Sequence, residues 1–347
     1  MKRFFALLGI GVILSAALII ALWVYSGQSI KAVEKQYTDL QTYRRCYVLI
    51  STDRSDLWST VYEAAGECAN EHDAVLDWIG TDAPVAYTIR DCMNIAVSSG
   101  VDGIILHREA VDDLTDLIDE AADKGIPVIT VLNDDSESRR ISFVGMNSYQ
   151  MGEIYAQQVL ESLHEGTNRV MLLTSLFNDN SSLNLLYSQM LQVIENGKED
   201  NQEVILTAHV LNTATSFDAE EGIRDIFIRG EALPDTIVCM DLTATECVSQ
   251  ALVDYNKVGS VTVIGYYASE TVLDAISKGL IRSTLGIDAR EIGKVCIEAL
   301  DEYWTLGRVS NYFNIGLSMI TADDVRKGAI QDDGMESAPE GPSEVAG

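Results

Sequence analysis

A rhythm limits what this chain can fold into. From about Arg45 to Val325, short β-branched runs alternate with longer stretches of helical spacing. Parallel strands need a crossover between them, so repeated strand–helix–strand units build a parallel sheet covered by helices on both faces. The first set of predicted strands is Tyr47 to Ser51, Val75 to Ile79, Gly103 to Leu106, Pro127 to Leu132 and Ile141 to Val144. Trp58 to Asn70, Ala86 to Ser98 and Leu114 to Lys124 have helix spacing between them, and Gly100 and Gly125 stand where helices should stop. A helix from Tyr149 to Leu163 leads into a second set: Arg169 to Leu173, Val204 to Val210, Thr236 to Met240, Val261 to Gly265 and Arg282 to Leu285. The expected class is α/β, with two similar doubly wound, Rossmann-like parallel-sheet lobes.

The ends of the chain differ from this middle. Phe4 to Tyr25 carries no charge and a single polar side chain, Ser15. An apolar helix of about 22 residues spans a hydrocarbon layer of roughly 30 Å, whereas a signal-peptide core is about 7 to 15 residues long. Residues 1–27 therefore read as an uncleaved signal anchor, one transmembrane helix, followed by a polar juxtamembrane linker over 28–45. Lys2 and Arg3 on one side and Lys31, Lys35, Arg44 and Arg45 on the other leave its orientation open to charge counting. Residues 331–347, QDDGMESAPEGPSEVAG, are too polar and turn-rich to pack and read as a disordered tail.

Fifty-three acidic residues against 24 basic ones give a net charge of −29, which repels phosphate backbones and argues against a nucleic-acid partner. No GxSxG, HExxH or GxxxxGK[ST] motif occurs, and His72, His107, His164 and His209 show no metal-ligand spacing. The expectation is a non-enzyme without cofactor or metal. Six cysteines (Cys46, Cys68, Cys92, Cys239, Cys247 and Cys296) lack CxxC spacing and read as buried thiols, with one disulfide among the first three as the alternative.

In open parallel sheets ligands bind beyond the carboxyl ends of the strands. Those tips carry Asp53 with Trp58 close behind, His107, Asn133 and Asp134, Asn178 and Asn180, Asp241, Tyr267 and Asp288, and these residues form the candidate binding site. Carboxylates and amides take hydroxyl hydrogen bonds, while aromatic faces cover the apolar side of a ring. The same Asn and Asp residues also serve as helix caps and turn initiators, so each has a structural reading beside the functional one.

The order of segments resembles the type I periplasmic-binding-protein family, specifically the ribose- and galactose-type sugar-binding proteins of ABC transporters, whose fold LacI-type effector domains share. The stretches that carry the resemblance are GVDGIILHREAVDDLTDLIDEAADKGIPVITVLNDD, FVGMNSYQMGEIYAQ and ALVDYNKVGSVTVIGYYASETVLDAISKGLI. It implies two lobes joined by a hinge of three crossovers: residues 46–146 plus about 288–314 in the N-terminal lobe, and 147–287 plus about 315–330 in the C-terminal lobe. The crossings are expected near Gly145 to Tyr149, Gly286 to Asp288 and Asn314 to Leu317. It also implies an extracytoplasmic location, an aromatic lid at Trp58, and a ligand contact at Asn133 in preference to Asp134, with Asp135 a turn residue. The pocket departs from the family pattern: Leu132 falls where a sugar-binding Asp is usual, Asp241 where Asn is usual, and Tyr266-Tyr267 replaces Phe-Asp.

The function these observations imply is a membrane-anchored extracytoplasmic solute-binding protein with a monomeric ectodomain. It would capture a small polar ligand, a sugar or sugar-like compound, and present it to an ABC-type permease. The alternatives are a ligand-sensing accessory of a membrane histidine kinase and a degenerate binding module. A transcription regulator is disfavoured because an apolar span fills the place of a basic helix-turn-helix.

Overall fold

The structure, a computed structural model, describes residues 43–80, 87–108, 113–175, 180–212, 216–228 and 233–328. The apolar run at Phe4 to Tyr25, the linker up to residue 42, Glu109, Asn178, Asp179 and the tail from 329 onward lie outside the described residues. Among the described residues, no helix is long and apolar enough to cross a membrane.

Residues 45–328 fold into two six-stranded sheets built to one plan. The strands of the first lobe are β1 (Arg45–Ile50), β2 (Ala74–Ile79), β3 (Gly103–Leu106), β4 (Val128–Val131), β5 (Ser142–Gly145) and β11 (Tyr312–Asn314). Their spatial order is β11-β5-β4-β3-β1-β2, all parallel. The second lobe contains β6 (Gly166–Ser175), β7 (Gln202–Leu211), β8 (Thr236–Cys239), β9 (Thr262–Tyr266), β10 (Ser283–Ile287) and β12 (Leu317–Thr321). Their order is β12-β10-β9-β8-β6-β7, the same pattern, with β12 antiparallel to β10. The chain changes sheet after β5, after β10 and between β11 and β12. Near the first and third passages Ile315 is fully buried, and its N–H donates to the Gly145 carbonyl at 2.9 Å, so two of the three connecting segments are tied together.

Alternation along the strands explains the layering. In β1, Tyr47 and Leu49 join the face that packs under helices α1 (Asp56–Glu71) and α9 (Ala289–Leu306), while Val48 and Ile50 face α2 (Ile89–Ser99) and α3 (Thr115–Asp123). Both faces are covered, which is why β3 and β4 are buried along their whole length. Helix α1 turns Leu57, Trp58, Val61, Ala64, Ala65 and Cys68 inward at 3.6-residue spacing. It sits so close to α9 that a Cβ on Gly293 would collide with the backbone of Val61 and Ala65. That approach fixes the start of α1 at the rim of the cleft.

The second lobe is completed by α4 (Ser148–Leu160), α5 (Asn180–Gly197), α6 (Ser216–Ile228), α7 (Leu242–Asp254), α8 (Glu270–Ser277) and the short α10 (Ala322–Arg326). All six cysteines are free thiols, so the disulfide considered for the first three does not form. Burial pushes the Cys68 and Cys247 thiols up to about 11, and drives Cys239 and Cys296 higher still, which suits them to packing rather than thiolate chemistry.

Candidate functional site

The carboxyl ends of both sheets converge on one cleft. On the first lobe, β1 runs into a turn whose inner residue, Ser51, is fully buried. Its Oγ lies 3.0 Å from His107 Nδ1 and accepts the Asp53 N–H at 3.2 Å. Asp53 Oδ1 in turn accepts the Ser55 N–H at 2.8 Å, an Asx-type turn that aims the chain into α1 and leaves Asp53 exposed at the rim. Trp58 stacks on His107, with ring centroids 4.2 Å apart and 28° between the planes. Burial pushes the His107 pKa down to about 4, against the opposing field of Asp53, so the imidazole is neutral at pH 7.

The tip of β4 is closed by its own side chains. Leu132 has φ 63°, a left-handed conformation that costs a non-glycine residue on the order of 1 kcal/mol. The Asn133 N–H donates to the Val131 carbonyl at 2.8 Å, and Asn133 Nδ2 donates to the Arg108 carbonyl at 3.0 Å, which links the ends of β3 and β4. Asp134 Oδ1 accepts from Thr130 Oγ1 at 2.9 Å and from the Asp135 N–H at 2.8 Å. Arg140 grips the Asp134 carboxylate with Nε and Nη2, the latter at 2.7 Å, and reaches Asn311 Oδ1 with Nη1 at 2.7 Å. The Arg140 side chain is only 7% exposed, so Asp134 is its internal counter-ion and not a free ligand group. Asp135 is buried and accepts from Thr115 Oγ1 at 3.1 Å at the start of α3, a structural turn.

The second lobe presents a different surface. Asp241 caps α7 through Oδ1, which accepts the Ala244 N–H at 2.7 Å. Its Oδ2 is buried with no hydrogen-bond partner among the described residues. Burial, reinforced by the field of Asp53 from the opposite lobe, pushes the Asp241 pKa up to about 6. At the end of β9, Tyr267 has φ 62°, and its carbonyl accepts from Thr284 Oγ1 at 2.8 Å. The Tyr266 N–H donates to Thr245 Oγ1 at 3.0 Å, and the Tyr155 hydroxyl donates to the Cys239 carbonyl at 3.1 Å, so the ends of β8 and β9 are braced from below. Thr60 of α1, in the first lobe, lies close enough to the Tyr267 side chain to influence its hydroxyl, so the lobes approach each other across the cleft. Glu246 accepts from Ser269 Oγ at 2.9 Å and feels Asp56 of the opposite lobe.

Of the residues picked from the sequence, the structure thus brings Asp53, His107, Asp241 and Tyr267 to one place. Asp288 caps α9 through the Glu291 N–H at 2.8 Å, with its field reaching Tyr267 at the same rim. Asn133 lies in the N-terminal lobe's tip, half-buried, with its amide donating to Arg108. Trp58 is 1% exposed and belongs to the core, so it supports His107 from behind instead of forming a lid over the cleft. Asn180 is the first residue of α5, and Asn178 lies outside the described residues. Thr60, Glu246 and Tyr266 were not singled out as site residues. The first two sit on helices among other polar residues, where nothing local distinguishes a cleft-facing position from a solvated one.

Two lobes of parallel sheet joined by three passages, with a polar cleft between their carboxyl edges, define a protein that closes on a small solute. The periplasmic binding protein domain family matches residues 46–308, and the chain belongs to this family of solute-binding proteins. A search of curated proteins finds no match. Among solved structures, GanP, a glucose-galactose binding protein from Geobacillus stearothermophilus, is similar at 20% identity and TM-score 0.68, over 81% of this chain and 98% of that one. XylFII in complex with LytSN is similar at 21% identity and TM-score 0.67, over 81% and 98%. A solute-binding protein of an ABC transporter from Burkholderia graminis, in complex with D-arabinose, is similar at 16% identity and TM-score 0.70, over 82% and 97%. These likenesses establish the fold.

Proposed function

We propose that this chain is a membrane-anchored, extracytoplasmic solute-binding protein that holds a small polar ligand, a sugar or sugar-like compound, in the cleft and presents it to an ABC-type permease. The observation that carries the reading is Asp241 at the tip of the second lobe, whose Oδ2 is buried without a partner among the described residues. An unsatisfied buried acceptor costs about 1 to 3 kcal/mol, and a ligand donor would recover that energy. His107, Tyr266 and Tyr267 supply ring surface beside it. Structural neighbours solved with D-arabinose and D-tagatopyranose support a carbohydrate-sized ligand.

The apolar segment at Phe4 to Tyr25 supports the anchor and a single-pass topology with residues 45–328 outside. Calorimetric titration of the full-length chain in detergent against a carbohydrate panel tests the binding reading. Micromolar or tighter binding of one member is expected, and no heat with any member, together with no shift of the thermal midpoint, would sink it. Protease digestion of intact cells and spheroplasts tests the topology, with cleavage in the second lobe expected from outside. A second reading, an accessory that reports ligand occupancy to a membrane sensor kinase, is favoured by the XylFII–LytSN complex, a neighbour that assembles with a second protein. Deleting the gene for this chain separates the two. Loss of uptake supports transport, whereas unchanged uptake with loss of ligand-dependent transcription supports sensing.

A further inference from the structure

The carboxylates that meet across the cleft specify more than a hydroxylated ligand. Asp241 Oδ2 is sealed from solvent and lacks a hydrogen-bond partner among the described residues, and the field that reaches it from the opposite lobe is that of another carboxylate, Asp53. Both fields also reach Tyr266, which places that ring beside the pair. Asp56 and Glu246 oppose each other across the same cleft, and Asp288 stands beside Tyr267.

Two arginines near the cleft are used within the first lobe. Arg140 is bound to Asp134 and Asn311, and Arg108 Nη1 donates to the Asp134 carbonyl at 2.6 Å. His107 stacks on Trp58 and is uncharged at neutral pH, and Arg54, next to Asp53 in the β1 turn, is exposed and makes no ion pair among the described residues.

A neutral sugar hydroxyl would give Asp241 Oδ2 its hydrogen bond but would leave two like charges in each other's field without compensation. An ammonium group supplies three donors and a compensating charge, and charge-assisted bonds of this kind are roughly twice as strong as neutral ones. Adjacent aromatic rings add to the attraction for a cation.

We propose that the cleft selects a small polyhydroxylated ligand bearing a positively charged amine, an amino sugar in preference to its neutral parent, with the ammonium held between Asp241 of the second lobe and Asp53 of the first. The proposal rests on the solute-binding reading above. It also explains how occupancy would favour closure: the two carboxylates approach only when the lobes meet, and the amine turns their repulsion into attraction to a shared cation.

The test is calorimetry of the full-length chain with two matched pairs, D-glucosamine with D-glucose and D-galactosamine with D-galactose, repeated on Asp241→Asn and Asp53→Asn. In at least one pair the amino sugar is expected to bind at least about tenfold tighter than its parent, a preference that added salt weakens. Asparagine caps a helix as well as aspartate does, so Asp241→Asn should fold, and it should reduce the preference to within about threefold. Asp53→Asn, on the exposed rim, gives an independent check with the same expected direction. Equal or tighter binding of both neutral parents, failure of both amino sugars to bind, or a preference that survives in both variants would overturn the proposal. Binding of neutral sugars alone would overturn it while leaving the solute-binding reading intact, and absence of any carbohydrate binding would overturn both.

Discussion

Arg108 and Asp241 occupy equivalent places in the two lobes, two residues beyond the ends of β3 and β8, which hold the same position in their sheets. Leu132 and Tyr267 are equivalent too, each the first residue past β4 or β9, and each in the left-handed region, at φ 63° and 62°. From these matched backbones the lobes diverge. In the first lobe the tip is closed by its own partners: the Arg108 carbonyl takes the Asn133 amide, and Asp134 is saturated by Thr130, Asp135 and Arg140. In the second lobe the tip keeps a buried carboxylate oxygen unmatched among the described residues. The first lobe therefore acts chiefly as a rigid wall with Asp53 at its rim, where the Ser55 hydroxyl is also buried without a partner among the described residues, and the unmatched carboxylate belongs to the second.

The largest effect expected from breaking this division is at Trp58. If it is a wall residue of the first lobe, Trp58→Ala should destabilise folding by about 3 to 5 kcal/mol, the range for a buried aromatic. Denaturant unfolding measures this, and a loss below about 1 kcal/mol would return Trp58 to the role of a cleft lid. Next in size is Asp134→Ala, which strands the Arg140 guanidinium, a side chain only 7% exposed. Asp134 is itself 27% exposed and Arg140 keeps Asn311, so the cost is expected at about 2 kcal/mol, below the range for a fully buried pair. A double-mutant cycle with Arg140→Ala should show the two losses to be far from additive, and additive losses would contradict the internal pairing.

The matched position in the second lobe should respond in the opposite direction. Asp241 is raised to about 6 in the folded state by burial and by Asp53. The folded protein therefore holds that proton more tightly than the unfolded chain does. Stability from this group is full below about pH 4 and is lost as pH rises through about 6. Asp241→Asn removes the loss, so the variant should match the parent near pH 4 and exceed it at pH 7 by about 1 to 3 kcal/mol. His107 has the reverse sign: lowered to about 4 by burial, it contributes stability above about pH 6.5 that is lost as pH falls through about 4. The two lobes oppose each other across the acidic range, so thermal melts of the parent should vary less with pH than those of Asp241→Asn. A variant no more stable than the parent at pH 7 would mean that Asp241 has a compensating partner.

The fold was largely legible because burial on both sheet faces writes apolar runs directly into the chain. Gly103 to Leu106 and β3 coincide, and each predicted strand overlaps one of β1 to β10. β11 and β12 escaped because Tyr312–Asn314 and Leu317–Thr321 are short and partly exposed, without the apolar alternation that marks a covered strand. Gly166 and Thr167 at the start of β6 escaped for the same reason. The site was legible only as a set of strand tips. Resemblance to a family lid pointed Trp58 at the cleft, whereas in the structure it lies on the buried face of α1 with Leu57 and Val61. The fate of Asp134 was hidden because nothing local distinguishes Arg140 from its neighbour Arg139, which is exposed and pairs with Asp119 and Asp123 instead. A tertiary contact separates them.

The smallest expected effect concerns the contact that spans the cleft. Tyr267 stands near Thr60 of α1, in a left-handed backbone position that Thr284 braces at 2.8 Å, so its ring is presented by a rigid support to a helix of the other lobe. Removing that hydroxyl leaves the aromatic packing intact. Tyr267→Phe should therefore cost less than about 1 kcal/mol, below the net value of a fully formed hydrogen bond, and the cost should fall on lobe closure, not on the stability of either sheet. Small-angle scattering of the ligand-free variant should show a larger radius of gyration than the parent, with an unchanged thermal midpoint for the folded lobes. Thr60→Val should reproduce the shift, and the two changes together should add little beyond either alone, since they remove the same contact. Equal radii for parent and both variants would mean that closure is held by the apolar lobe contacts alone. The difference between the lobes would then lie in Asp241 and not in the tyrosine beside it.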